Sequence, residues 1–330
     1  MRRLKVDVES WPIAGVFAIS RGSRTEARVV VATIKDGGHW GRGECAPYQR
    51  YGETVEGVAT AIESLADAIA GGATRTELFN LLQAGAARNA LDCALWDFEA
   101  KASGKRAYEL AGLPGLRAVT TVYTLSLGAP EAMEAAAHSA NHRPLLKVKL
   151  GGDGDAERIA AVRRGAPDAT LIVDANEAWS EINFGDNLEA CRAAGVALIE
   201  QPLPAGRDGM LASISAADRA GILFCADESL HTAEDLGALG TGYQAINIKL
   251  DKAGGLTAAL QLKSEALARG LKIMIGCMVG TSLAMAPALL LAGDANFVDL
   301  DGPLLLARDR EPGLVFNGSL IQPFGPELWG

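Results

Sequence analysis

The sequence predicts an α/β fold: a modified TIM barrel of the (β/α)7β type, with an N-terminal α+β capping domain that the C-terminal tail completes. Two observations carry the barrel and a third carries the cap. From Val119 onward, eight short β-rich runs are separated, for the most part, by helical segments, which is the rhythm of a parallel barrel. Three of these runs, LIVDAN (171–176), VALIEQP (196–202) and ILFCADES (222–229), close on Asp174, Glu200 and Asp227, spaced by 26 and then 27 positions. Strands of such a barrel all end on one face, where active sites are built, so three acids are predicted to converge there. Residues 1 to about 117 lack this rhythm.

The capping segment opens with a strand-like stretch, Leu4 to Ile19, then the β-branched run ARVVVATI (27–34), which meets the turn signal Asp36-Gly37-Gly38. After Tyr51-Gly52-Glu53 the pattern becomes helical, with alanine-rich amphipathic stretches near 54–70, 75–83 and 86–102. Strands followed by helices indicate an α+β domain. The expected barrel strands are 121–127, 145–150, 170–175, 196–201, 222–227, 244–250, 271–277 and 296–302. The tail beyond them carries Pro303, Pro312, Pro323 and Pro326 and reads as a return to the first domain. The predicted division is therefore 1–117 with 303–330 for the cap, and 118–302 for the barrel.

Composition narrows the partners. A formal charge of −9 and a pI near 5.1 argue against a nucleic-acid or anionic-membrane surface and for a small-molecule substrate. The five cysteines are scattered, with no C-x-x-C pair, which fits a reducing compartment. The N-terminus has no apolar signal core and no stretch reaches the length of a membrane span, so a cytoplasmic location is expected. Barrels of this size often associate, but no feature fixes a subunit number.

The chemistry is carried by acids and lysines. Three oxygen ligands with no thiolate or histidine suit one hard divalent ion, Mg²⁺, rather than zinc. Lys147 and Lys149 lie two apart on LLKVKL, so both side chains point to one face, and two close ammonium groups are expected to lower each other's pKa and yield a neutral base. Lys249 closes QAINIKL, half a barrel away. Two bases facing each other suit removal of a proton from one face of a carbon and its return to the other.

Together KVK (147–149), VDAN, EQP, ADES and NIKLDKAGG resemble the muconate-lactonizing subgroup of the enolase superfamily, over nearly the whole chain. FAISRGSRTEA (17–27), GECAPYQRYGE (43–53), GAARNALDCALWD (85–97) and DLDGP (299–303) resemble its dipeptide epimerases. The resemblance implies that Asp174, Glu200 and Asp227 bind Mg²⁺ and that Lys149 and Lys249 are the acid/base pair. It further implies that Lys147 supports the substrate carboxylate and tunes Lys149. Enolase-type sites pair a lysine or histidine base with Mg²⁺, and that pattern is applied here. Asn176 and Glu228 fit positions that orient ligands. The implied reaction inverts the second residue of a dipeptide, L-Ala-D-Glu to L-Ala-L-Glu, through a Mg²⁺-stabilised enediolate, as in recycling of murein peptides.

Specificity rests on fewer signals. Asp299 and Asp301, two apart on the eighth strand, form an acidic pocket suited to the free ammonium of a dipeptide. Arg21 or Arg24 in the Gly/Ser-containing loop is expected to clamp a glutamate side-chain carboxylate, and the sequence does not decide which. Cys277 and Met278 follow the seventh strand as pocket wall or plain packing. His138 and His142 have metal-pair spacing but no zincin glutamate, and read as a surface helix. The competing readings are a cycloisomerase or o-succinylbenzoate synthase, which needs one base and no ammonium pocket, a metal-dependent phosphohydrolase barrel, and a binding barrel without catalysis.

Overall fold

The computed structural model describes the whole chain, Met1–Gly330. It opens with an antiparallel sheet of β1 (Arg3–Ile19), β2 (Gly22–Asp36) and β3 (His39–Cys45), in that order. The alternation of β-branched residues in β2 puts Val30, Ala32 and Ile34 on one buried face, under the helix Ala86–Ser103. That helix sits close because Gly41 and Gly43 line its path. A Cβ on Gly41 would lie 2.2 Å from Phe98 N, and one on Gly43 2.1 Å from Ala90 O.

The short β4 (Val119–Thr120) precedes the barrel strands β5 (Tyr123–Leu125), β6 (Leu145–Lys149), β7 (Thr170–Asp174), β8 (Val196–Glu200), β9 (Leu223–Ala226), β10 (Ala245–Lys249), β11 (Lys272–Gly276) and β12 (Phe297–Val298). All eight expected strands form, each inside its predicted range, and all are paired in parallel in sequence order. The sheet curls until its edges meet. Val122 N donates to Val298 O (2.8 Å), Leu300 N to Thr121 Oγ1 (2.9 Å) and Thr124 N to Asp301 Oδ2 (2.6 Å), so side chains finish the seam where strand pairing runs out.

Period-two alternation stacks the interior in layers. Val122, Ile172, Leu198, Cys225, Ala245 and Met274 pack as an apolar floor. Two residues further along their strands stand Thr124, Asp174, Glu200, Asp227, Asn247 and Gly276, so the same register that buries the floor lifts the acids to the mouth.

Past β12 the tail forms the hairpin β13 (Phe316–Asn317) and β14 (Leu320–Ile321), and β14 pairs with β4. The chain then ends against the first sheet and its helix. Trp329 Nε1 donates to Arg42 O (3.0 Å) and Cys93 O (3.1 Å), and Gly330 N to Asp97 Oδ1 (2.7 Å). Glu44, buried at the end of β3, accepts from Thr281 N (2.8 Å) and Arg310 Nη2 (2.8 Å), joining cap, barrel and tail in one network. No helix is long and apolar enough to cross a membrane.

Candidate active site at the barrel mouth

Strand register places the charged residues side by side. Lys149 pairs with Asp174 and Asp174 with Glu200 along the sheet edge, while Lys249 comes up four strands from Lys149. All of them are buried. Lys149 Nζ lies 2.6 Å from Asp174 Oδ2, and Lys249 Nζ 2.7 Å from Asp227 Oδ2 and 3.9 Å from Glu200 Oε1. Lys147 Nζ reaches three acids: Glu200 Oε2 (2.6 Å), Asp299 Oδ2 (2.7 Å) and Asp174 Oδ2 (3.2 Å).

These contacts correct the expectation that neighbouring lysines lower each other's pKa. Burial does pull Lys147 down, but Asp299, Glu200 and Asp174 together outweigh it and hold its ammonium well above the usual lysine range. Lys249 behaves alike, with burial overcome mainly by Asp227 and then Glu200. The reason is a count of charges: carboxylates surround each ammonium more closely than the other lysines do. On the acid side, burial raises Asp174 and Asp227, yet the lysines win and both stay below the ordinary carboxylate range. Glu200 goes the other way, lifted by burial and by Asp174.

The donor set fits a hard cation. No cluster of three or more acid, histidine or cysteine side chains is drawn to ligand distance around one point, because the lysines stand among the acids. Even so, Glu200 Oε2 and Asp227 Oδ1 are buried oxygens that receive no well-directed hydrogen bond, although ammonium groups lie at ion-pair distance. Asn176 Oδ1, Asn247 Oδ1 and Glu228 Oε2 are also buried without a partner. Unsatisfied buried oxygens of this kind call for positive charge. Oxygen ligands alone suit Mg²⁺.

Backbone geometry supports the mouth. Asn176, Glu177 and Gln201 adopt positive φ (46°, 67° and 32°) immediately beyond Asp174 and Glu200. Positive φ is uncommon for glutamate and glutamine, though asparagine takes it more readily, and such residues cluster at functional sites. Asn176 N donates to Asp174 Oδ1 (2.9 Å). Three residues escaped the sequence reading. Asn247 Nδ2 holds Glu200 Oε1 (2.8 Å), Gln201 Oε1 accepts Asp227 N (3.0 Å), and Lys252 sits on the far side of Asp227. Asn247 was accessible to the period-two rule, being two before Lys249 on one strand. Gln201 and Lys252 lie beyond strand ends, where that rule stops.

A cavity of about 60 Å³ opens above the acids, lined by Lys149, Lys249, Asp227, Asn176, Phe17, Ile19, Arg21, Arg24, Tyr48, Cys277, Met278 and Val279. Arg21, Arg24 and Tyr48 also line a wider outer cavity of about 620 Å³. The two arginines differ. Arg21 is engaged by Glu228 Oε1 (2.6 Å), Glu177 Oε2 (3.2 Å), Asn176 O (2.7 Å) and Tyr48 Oη (2.9 Å), whereas Arg24 only leans over the Tyr48 ring at 6.0 Å. Burial, then Asp227 and Asp174, push Glu228 up to about 7 despite Arg21.

Asp299 and Asp301 do not border this cavity. The eighth strand, β12, ends at Val298, although Asp299 N still donates to Ile275 O of β11 (2.7 Å), and both acids lie close enough to the cavity-lining Cys277 to add to burial in pushing its thiol up. Asp299 faces Lys147, and Asp301 accepts Thr124 N (2.6 Å) in the barrel wall. Burial and the charge of Asp299 raise Asp301 to about 7.

Residues 1–112 match the mandelate racemase/muconate lactonizing enzyme N-terminal domain, and residues 131–301 the enolase C-terminal domain-like family. The chain is 46% identical to the L-Ala-D/L-Glu epimerase of Escherichia coli (strain K12), over 96% of this chain and 98% of that one. It is 44% identical to an N-acetyl-D-glutamate racemase of a Pseudoalteromonas species, over 92% and 95%. Its structure is similar to that of an Agrobacterium tumefaciens enolase family member with homology to dipeptide epimerases, solved with sodium and L-Ala-L-Glu. Those two chains superpose with a TM-score of 0.97 at 54% identity, over 100% of both.

Proposed function

The chain belongs to the mandelate racemase/muconate lactonizing enzyme family of enolase-like proteins, and from that premise we propose that it is a Mg²⁺-dependent dipeptide epimerase. It inverts the α-carbon of the second residue, with L-Ala-D/L-Glu as the preferred pair. One observation carries the reading: Lys149 and Lys249, half a barrel apart, both line the same small cavity. A one-base cycloisomerase has no use for the second lysine.

Asp174, Glu200 and Asp227 would hold the ion, with Glu200 Oε2 and Asp227 Oδ1, which receive no directed hydrogen bond, among the donors. When bound, it supplies positive charge that offsets the negative charge developing on the substrate carboxylate. Asp174 and Asp227, the acids that would hold the ion, are also the ion-pair partners of Lys149 and Lys249, so ion and lysines would share the same carboxylates. One lysine then takes the α-proton on its Nζ, and the opposite ammonium gives a proton to the other face, so the carbon inverts and the site ends with its two lysines exchanged in protonation. Lys147 does not line the cavity. Its ammonium holds Glu200, Asp174 and Asp299 together.

Arg24 is the guanidinium left to pair with a glutamate side chain, because Arg21 is committed to fastening the loop. A cavity of about 60 Å³ is small beside the roughly 300–1,000 Å³ of small-molecule sites, so the β1–β2 turn lifts for a dipeptide to enter. A second reading, racemisation of an N-acylglutamate, is favoured by one observation: Asp299 and Asp301 are taken by Lys147 and Thr124, leaving no acid on the cavity wall beyond Asp227 to demand an ammonium.

Proton NMR in D₂O separates the readings. Loss of the α-proton of the second residue of L-Ala-L-Glu, with appearance of the diastereomer and abolition by EDTA, is the expected result. Faster exchange of N-acetylglutamate than of any dipeptide would transfer the assignment to the second reading. No exchange in either would sink both.

A further inference from the structure

The lysines of this site fall into two kinds. Lys149 touches one carboxylate and lines the cavity, while Lys147 touches three and does not. The same division recurs around Asp227, whose Oδ2 meets the cavity-lining Lys249 (2.7 Å) and whose Oδ1 meets Lys252 (2.6 Å), again outside the cavity. Lys252 is 2% exposed. Its ammonium donates to Asp227 O (2.6 Å), Leu230 O (2.9 Å) and Asn247 O (3.0 Å), which uses all three of its protons. That leaves Asp227 Oδ1 beside a cation but without a directed hydrogen bond, its lone pairs still open. From the other side, Gln201 Oε1 accepts both Asp227 N (3.0 Å) and Ser229 N (3.1 Å). The segment 227–230 is therefore gripped on its carbonyls by Lys252 and on its amides by Gln201.

We propose that Lys252 is a positioning residue that pins the segment Asp227–Leu230 and, through it, the carboxylate that anchors Lys249. It is the counterpart, across the barrel, of Lys147 beside Lys149. The proposal rests on Asp227 as an ion ligand and on Lys249 as one of two proton carriers. A lysine anchored on three carbonyls cannot swing, whereas Lys249 is anchored by Asp227 alone at hydrogen-bond distance.

The test compares wild type with Lys252→Met and Lys252→Arg, with Lys263→Met as a control lysine away from the site. Mn²⁺ affinity is read by electron paramagnetic resonance, and α-deuterium wash-in is followed separately from L-Ala-L-Glu and L-Ala-D-Glu. Loss of a group that orients a ligand typically costs ten- to a hundredfold in metal affinity, and a fall of about that size is expected for Lys252→Met. Wash-in should fall at least about tenfold further for the diastereomer that Lys249→Ala silences than for the one that Lys149→Ala silences. Unchanged Mn²⁺ affinity, or equal loss in both diastereomers, overturns the proposal, since a merely structural lysine would not favour one face. If circular dichroism shows Lys252→Met unfolded, Lys252→Arg carries the test, because it keeps the charge but not the three-carbonyl geometry. Wild type that binds Mn²⁺ but exchanges neither dipeptide would refute the substrate assignment, and the clamp is then judged on metal affinity alone. Wild type that exchanges but binds no Mn²⁺ would refute the ion assignment, and the clamp is then judged on the difference between faces.

Discussion

Arg21 Nη2 lies 2.6 Å from Glu228 Oε1, an ion pair that runs from the β1–β2 turn of the cap to the mouth of the barrel. Because Arg21 also bonds Asn176 O and Glu177, one side chain fastens the turn over both proposed lysines. Glu228 is almost wholly buried, so the pair is shielded from the screening that weakens surface ion pairs.

The two arginines are expected to separate in kinetics. Arg21→Met should raise KM for every dipeptide by a similar factor, because it loosens the turn without touching substrate. Arg24→Met should cut kcat/KM for a glutamate in the second position by roughly ten- to a hundredfold, the worth of one charge-assisted bond, and leave a neutral second residue nearly unaffected. Equal losses on both substrates in Arg24→Met would remove it from the specificity pocket.

Lys149→Ala and Lys249→Ala should each abolish net epimerisation, a loss of at least about 10²–10⁴ in turnover, with circular dichroism and melting temperature little changed. Near-normal turnover in one variant would leave a single-base enzyme.

Gly276→Ala tests how Glu200 is held. A Cβ at Gly276 would lie 2.4 Å from Asn247 Oδ1 and displace the amide that donates to Glu200 Oε1 at 2.8 Å. Activity should fall at least about tenfold, as for other groups that orient ligands, and Asn247→Ala should reproduce the loss. Wild-type kcat/KM in either variant would show that Glu200 needs no such support.

Asp251 is expected to set part of the pH dependence of stability. Burial, with Glu53 and Glu44 nearby, raises it to about 7, against the hydrogen bonds it accepts from Asn89 Nδ2 (2.9 Å) and Ala46 N (3.1 Å). A carboxyl raised in the folded state contributes stability fully present below its unfolded pKa, near 4, and lost as pH rises through about 7. Asp251→Asn should therefore be more stable than wild type at pH 8.5, by up to about a few kcal/mol, and so melt higher there, and lose that advantage near pH 4. A melting-temperature difference independent of pH would contradict the assignment.

The sequence was informative where periodicity governs and silent where the chain turns back. Asp174, Glu200 and Lys249 were visible because a strand repeats every second residue, and a charge pointing inward from an apolar strand is too costly to bury without a partner or an ion. Asp299 and Asp301 show the limit. Their two-residue spacing suggested one strand face, and the structure adds what spacing could not show, that Asp299 meets Lys147 and Asp301 meets Thr124 N. Arg21 and Arg24 were interchangeable in sequence because a turn has no register. The partners on the barrel rim, more than 150 positions away, tell them apart by engaging Arg21. The pKa of Lys147 was misjudged for a related reason, since its nearest acids come from three other strands or strand ends.

The seam of the barrel has an evolutionary consequence. Asp301 takes the place of a strand carbonyl by accepting Thr124 N, and Thr121 Oγ1 does the same for Leu300 N. A residue employed as masonry in the wall is not free to drift with the diet of the enzyme, because replacing it opens the join between the first and last strands. Arg24, which only leans over the Tyr48 ring, closes no such join.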